Sequence, residues 1–582
     1  MASNLTGGRL IFMGKLRDMA VALMVVALSG CVPPSSGGPG VAQPPSVVSP
    51  KTITIATLVP IPGFGPWDIG TTQGGWAALG ELASNGLVTE GSGRPELRIA
   101  AQLPSFDDES IALLPDGRMQ VTWHLRPDVR WHDGAPFTSD DLAFSVQMYQ
   151  HPELPKGNTA STIGQIQRVE TPDPLTAIIT WRSAFAGGAS LDLRTLWPYP
   201  SHLLGEAFQG DKQTFRGLPY FNTDYVGLGP FRLVDFGQGE SQTFERFDNY
   251  YLGKPKIDRV IVRAIPDPNA LYVNIKAGAV DMTPDQTMPL NLFLQLRDEW
   301  QPTGEGNVLQ RQGIWRYLMV QLRPEFARVP EVARDVHLRR GLLLAIDRDA
   351  LRESVLPGVA NTSADSFMAP SDPRAPLVGQ PFAALRYDPN RALAEFSEGG
   401  WRVSPDGRIS NAAGERVEIP IRTSVQYPQE IAIVADYWRK LGLGVVEETA
   451  SAAQAQDSEY KAKFPQIDVS GRGFNEAVLQ YFDSRLIAAP ENRWLSANVP
   501  GYNSPAFDRL VDQVSRSFDQ REQGEFLRQA GEMLATDLPV LPTYFAVWLA
   551  AVRQPIQALR DDYAPVVQAT AIMRHAYLWD LA

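Results

Sequence analysis

One cysteine, Cys31, in 582 residues excludes an internal disulfide and any metal site built from several thiolates. Histidine is also sparse. The six residues, His124, His132, His151, His202, His337 and His575, are scattered and nowhere take the HExxH spacing of a zinc hydrolase. No G-x-S-x-G nucleophile elbow occurs, which removes the plainest mark of a serine hydrolase. Positive charge is the minority, with 53 Lys and Arg against 65 Asp and Glu and a formal net charge of −12. The signs are interspersed and form no basic patch, so nucleic acid is not an expected partner. Beyond Cys31 no apolar run approaches the length that spans a bilayer. No repeat at a solenoid period is visible.

What the chain does have is ordinary for a globular protein: 44% hydrophobic and 20% charged residues, and length for two to four domains. Its N-terminus is less ordinary. Arg9, Lys15 and Arg17 precede a short apolar run over 19–28, and Leu28-Ser29-Gly30-Cys31 follows. That is a signal-peptide pattern, too short for an ordinary membrane span. Met13 offers an alternative start that leaves the signal complete. Residues 32–50 hold six prolines, three glycines and no charge, the composition of a partly extended tether.

The body alternates strands and helices. Thr52 to Leu58 alternates as a first strand, and the loop after it is rich in Gly, Pro and aromatics, with Phe64, Trp67 and Trp76 able either to face a ligand or to pack beneath the loop. Residues 115–149 are the most legible stretch. A Pro115-Asp116-Gly117 turn leads to a strand over 119–125 and an Asp133-Gly134 turn. A helix then opens at Thr138 or Ser139 with Asp140 and Asp141 in its first turn. Further strands are expected over 175–181, 257–265, 315–322 and 539–548. Helices are expected over 268–277 behind the cap Asp267, over 336–346, from Asp388-Pro389 to Gly399-Gly400, over 428–441, and from Ser504-Pro505 to about residue 536. The pattern restarts near Gly313. The expected class is α/β with mixed sheets and more than one domain.

Several of these segments, in order, resemble the bacterial solute-binding proteins of the peptide and nickel importer family (family 5). They are DGR-strand-LR with VRWHDGAPFT and DD at a helix start, then GLGPFRL at 227–233, FDNYYLGKPKIDRVIVRAIPDPNALYVNIKAGAVDM, HLRRGLLLAIDRDAL, RYDPNRALAEFSEGGW and GYNSPAFDRLVDQV. The residues before Cys31 resemble the lipobox of bacterial lipoproteins, which implies cleavage there and a lipid on the thiol. The family resemblance implies a two-lobed clamshell of the periplasmic-binding-protein type (type II, with an extra small domain). By it, 1–30 is the lipoprotein signal peptide and 31–50 the tether. Residues 51–80, 205–312 and 541–582 form a discontinuous first lobe, 81–204 the small domain and 313–540 the second lobe. The implied function is capture of a small solute between the lobes and delivery to the permease and ATPase of an ABC importer. The implied receptor is a lipid-anchored, extracytoplasmic monomer that needs no cofactor and no resident metal.

The resemblance also implies where the solute sits. In the peptide-binding members a strand and loop carry an aromatic residue and then an acid that pairs with the peptide's amino group. The matching stretch is 468–477. Phe474 and Asn475 are implied at the cleft, Arg472 as a partner for a solute carboxylate, and Glu476 as a stand-in for the acid, since Ala477 falls at its expected place. Arg194 resembles, loosely, a cleft arginine of the nickel-complex binders. The signature residues Trp123, Trp131 and His132 are expected to fix the small domain. The solute stays open between peptide, nickel chelate and sugar. A sensor or adhesion module on the same fold, and a surface hydrolase, are the other readings; a neighbouring sensor kinase would favour the first and turnover of a chromogenic ester the second.

Overall fold

The computed structural model describes residues 49–68, 76–90, 95–155, 160–237, 240–284, 287–359, 364–370, 372, 374–424, 428–451, 453–473, 476–554, 556–557 and 572–582. The central feature is a ten-stranded mixed sheet. Two long antiparallel strands, Gly306–Val320 and Val540–Arg553, run through its middle. Residues 306–312 pair with 547–553, and 314–319 pair with 540–546. The register slips between Gln312 and Ile314, leaving Gly313 as the extra residue, and again between Trp315 and Tyr317. Bulges of this kind bend and twist a strand pair, so the two halves of the sheet meet at a built-in kink.

On one side of the kink the sheet continues through Met282–Thr283, Thr52–Thr57, Arg259–Ala264, Ser241–Arg246 and Phe231–Gly237. On the other it continues through Ile467–Arg472, Glu418–Ser424 and Gly444–Ala450. Each half has its own core. One joins Ile53, Ile55, Val260 and Val262 to the small domain's Trp123, Trp131, Trp181 and Tyr199. The other gathers Trp315, Leu342, Trp438, Phe507 and Phe545. A further layer, with Leu271, Ile275, Leu296 and Trp300, backs the first half. Burying a large apolar side chain contributes about 1.5–3 kcal/mol, so each half is held together by a core of its own.

A separate four-stranded sheet, within the stretch expected as the small domain, is ordered Ile111–Leu113, Met119–His124, Thr176–Trp181, Ile166–Asp173, with the helix Ser139–Gln150 against it. The second acid at the helix start, Asp141, has a structural purpose. Asp141 is 2% exposed and accepts from the Thr138 backbone N–H, the Trp131 indole N–H, and both the backbone N–H and hydroxyl of Ser201. A buried carboxylate needs such donors, and here they tie turn, helix start and domain exit to one point. His132 does the same between domains. Its Nδ1 accepts from the Gly227 backbone N–H at 3.2 Å and its Nε2 donates to the Gly229 carbonyl at 3.0 Å. Those glycines are required by contact: a Cβ at 227 would lie 2.0 Å from the Ala83 carbonyl oxygen, and one at 229 would lie 2.4 Å from that of Leu82.

Many caps stand where the sequence puts them. Asp267 accepts from Ala270 N–H, Asp388 from Arg391 N–H and Ser504 from Phe507 N–H at the starts of Pro268–Lys276, Pro389–Glu398 and Pro505–Arg516. Two expectations change. Gly313 is a bulge within one strand rather than a restart. The long helical region after Ser504 is two helices, Pro505–Arg516 and Gln520–Asp537, broken at Ser517-Phe518-Asp519, where Asp519 caps the second by accepting from Arg521 and Glu522 N–H.

Candidate functional site

Strand direction locates the site. In the second half Arg472, the last residue of its strand, lies opposite Trp315, just past the kink. The neighbouring strands Glu418–Ser424 and Gly444–Ala450 run parallel to it. In the first half Met282–Thr283 runs antiparallel to Val540–Arg553 and therefore towards the kink, and Thr52–Thr57 and Arg259–Ala264 run parallel with it. From both sides, then, the carboxyl ends of these strands converge on the crossing. Loops outside carboxyl ends are where open α/β sheets bind ligands. The converging segments are those after Thr57, Ala264 and Thr283 on one side and after Ser424, Ala450 and Arg472 on the other.

The sequence-derived residues distribute unevenly over this frame. Arg472 stands at the carboxyl end of its strand, half-buried, with its guanidinium 4.7 Å from the Tyr481 ring and Nη1 donating to the Gly471 carbonyl at 2.8 Å. It has no carboxylate partner in an ion pair among the described residues. Trp67 is half-buried, edge-on to Phe221 at 4.7 Å, with the Arg216 guanidinium 5.3 Å above its ring. Asp68 lies beside them; burial pushes its carboxyl up, and the Gly65 N–H and the Arg216 charge pull it back down. Phe64 takes the packing alternative. It is fully buried, stacked on Tyr225 at 4.0 Å and tilted against Trp197 at 6.5 Å, and offers no face to a solute. Arg194 is half-buried, its Nη1 is shielded from solvent, and among the described residues no hydrogen-bond partner reaches that nitrogen.

Cys31, Phe474 and Asn475 lie outside the described residues. Trp76 and Glu476 are described in backbone only: Trp76 opens the helix Trp76–Ala83 and Glu476 opens the 3₁₀ helix Glu476–Phe482.

Sequence reasoning missed the groups around the kink. Arg311 packs its guanidinium 4.9 Å from the Trp548 ring, and Trp548 covers Gly313 so closely that a Cβ there would lie 2.4 Å from the indole. Just past the kink, Nη2 of Arg316 donates to both carboxylate oxygens of Glu430, at 3.0 and 2.9 Å, and the Tyr544 hydroxyl donates to the same carboxylate at 2.5 Å. Burial pushes the Tyr544 hydroxyl well above its ordinary pKa, so it stays a donor. Deeper in the second half, Arg422 pairs with Asp468, whose carboxyl is raised by burial and drawn back by Arg422. Among the described residues no three His, Cys, Asp or Glu side chains gather at metal-binding spacing, and no helix is long and apolar enough to cross a membrane.

Comparison with known proteins bears on the family and the fold. The family described as bacterial extracellular solute-binding proteins, family 5 Middle, matches residues 110–482. The heme-binding protein A of Haemophilus influenzae is 24% identical over 559 residues, covering 91% of this chain and 94% of that protein. Among solved structures, NikA from Brucella suis in complex with Fe(III)-EDTA superposes with a TM-score of 0.70 at 18% identity, covering 91% of this chain and 100% of that one. The oligopeptide-binding protein AppA from Bacillus subtilis, in complex with a nonapeptide, superposes with a TM-score of 0.66 at 18% identity, covering 92% and 100%.

Proposed function

The chain belongs to the bacterial extracellular solute-binding proteins of family 5, and from that premise we propose a solute class, a binding site and an anchor for it. It is an extracytoplasmic substrate-binding protein of an ABC importer, a receptor with no catalytic step of its own. Its partners are a small solute and the importer's permease and ATPase. The lobes we assign are 51–80 with 205–312 and the C-terminal residues, and 313 onward for the second, with 81–204 as the small domain. The register of the crossing strands favours placing the last boundary at 546/547 rather than 540/541, because 540–546 pair with 314–319.

The solute carries a carboxylate. The observation behind this reading is Arg194, whose shielded Nη1 has no partner among the described residues, while Arg316, Arg348 and Arg422 are paired with Glu430, Asp365 and Asp468 respectively. A shielded guanidinium nitrogen left unpaired is costly, and a solute carboxylate would satisfy it. Arg472, Phe474, Asn475, Glu476, Trp67 and Trp76 are the further lining we propose, at the converging strand ends. A peptide-like solute is the first reading. A metal–carboxylate chelate is the second, favoured by Ala477, which leaves a peptide's amino group without its usual acid. Native mass spectrometry of the purified protein identifies the solute, and calorimetry with that solute tests the site. Arg194→Gln is expected to weaken binding about 10- to 100-fold, and amide capping of the solute to weaken parent binding alike. Unchanged affinity in the variant removes Arg194 from the site.

We assign Cys31 as the lipid-bearing residue and residues 32–50 as the tether. The support is the signal pattern ahead of the chain's one cysteine. Acyl chains contribute about 0.8 kcal/mol per buried CH₂, enough in combination for a stable anchor. Cys31→Ser is expected to release the protein into the soluble fraction, and continued membrane association would remove the assignment.

A further inference from the structure

The two halves of the molecule touch at a second place, away from the crossing strands. Phe106, in a turn of the small domain, meets Phe518 edge-on, with ring centroids 4.9 Å apart and planes at 90°. Phe518 sits in the break between the helices Pro505–Arg516 and Gln520–Asp537, which belong to the second half, yet its ring packs on the core of the first. Beside this contact, the helix Pro505–Arg516 lies against the small domain's Ala186–Ala189 turn. Phe106 remains 43% exposed, and Phe518 interrupts what the sequence pattern reads as a single long helix.

We propose that Phe106 and Phe518 form a latch by which the small domain holds the second lobe in the arrangement described here, taken as the closed position. The inference rests on the reading of this chain as a receptor that closes on its solute. The kinked strand pair fixes the axis of motion, and any rotation about it moves the small domain, which shares a core with the first half, relative to the helices that carry Phe518. The latch therefore exists in one of the two positions only. A contact present in one state shifts the equilibrium towards that state with or without solute. An edge-to-face aromatic pair is worth enough to change the open-to-closed ratio about two- to tenfold. The small domain thereby acts as a jaw as well as a wall, and it sets how much of the ligand-free receptor stands closed before any solute arrives.

The test measures that ratio directly, without a solute. Nitroxide labels are placed at Leu113→Cys in the small domain and Val403→Cys in the second half, both at exposed positions, in the full chain carrying Cys31→Ser. Pulsed dipolar spectroscopy then reads the label-to-label distance distribution. Phe106→Ala and Phe518→Ala are each expected to raise the share of the population away from the closed-state distance by about two- to tenfold in ratio. The double variant is expected to match the single ones, because either substitution removes the same contact. Phe518→Tyr keeps the ring and is expected to behave as the parent. A distribution unchanged in folded Phe106→Ala protein overturns the latch, and so does an effect confined to one of the two positions. If Phe518→Ala fails to fold, the Phe106→Ala and Phe106→Leu pair decides alone, since an exposed side chain can be truncated without loss of the core. Failure here leaves the receptor reading standing, because solute retention and calorimetry test that separately.

Discussion

Glu430→Gln is expected to destabilise the second half of the molecule by about 3–5 kcal/mol, because it removes the carboxylate that pairs with the Arg316 guanidinium in a place where water cannot reach. The side chains of Arg316 and Glu430 are 3% and 7% exposed. Both carboxylate oxygens serve the same guanidinium, and the Tyr544 hydroxyl adds a third bond. Removing one charge of such a pair forfeits the bonds and retains the desolvation of the other. Replacing the whole set by apolar groups of similar volume does not, so Arg316→Met with Glu430→Leu and Tyr544→Phe should recover most of the loss. An exposed pair behaves differently. Lys440 and Asp436 are 70% and 57% exposed, and Asp436→Asn should change stability by less than about 0.5 kcal/mol. Chemical denaturation of the four proteins checks the ranking. A Glu430→Gln protein that unfolds at the parent's urea concentration would mean the pair is already hydrated. The position adds a consequence: Arg316 lies in the second register slip of the crossing strands, so loosening it also loosens the kink where the two halves of the sheet meet.

How far the sequence reveals this arrangement depends on the range over which each residue acts. Caps such as Asp267 and Asp388 bond three residues ahead, and they are readable because their partners lie within one turn. Alternating strands such as Met119–His124 are readable because burial repeats every second residue. The strand residues 306–312 are not, since Gln310, Arg311 and Gln312 break the apolar alternation and Gly313 looks like an ending. It is the crossing partner Val540–Arg553, more than 200 residues away, that makes them a strand. The same distance hides Arg316 and Glu430, 114 residues apart. Phe518 was hidden by continuity, because Ser517-Phe518-Asp519 carries no Gly or Pro, and only the capping by Asp519 divides the helix. At the site, Arg472 came from family resemblance rather than from any local chemistry. Phe64 and Trp67 stand three residues apart in one loop, and nothing local says which of the two is fully buried.

Acid should weaken the junction between the small domain and the first half, and His132 is the group responsible. Burial holds its pKa down to about 4, assisted by the Arg232 charge and opposed by the Gly229 carbonyl and Asp133. The geometry agrees with a neutral ring, since Nδ1 is occupied as an acceptor by the Gly227 N–H and a proton there would break that bond. In the unfolded chain the imidazole titrates near its ordinary value of about 6.5. Above that pH neither state binds the proton and the full stability is present. As the pH falls from about 6.5 towards 4, the unfolded chain takes up a proton that the folded one refuses, and unfolding gains. The gap corresponds to about 3 kcal/mol at its limit, and about 2 kcal/mol is expected for a ring that is only partly covered. Glu81, Asp281 and Asp468 act in the opposite sense, because burial raises their carboxyls and the folded state takes up their protons first. The informative quantity is therefore a difference. Urea denaturation at pH 7 and pH 4.5 should show a smaller loss of stability in His132→Gln than in the parent, even though the variant starts lower for want of good bonds to Gly227 and Gly229. Equal losses in the two proteins would place the acid sensitivity elsewhere and leave His132 as a stitch between domains with no part in their response to pH.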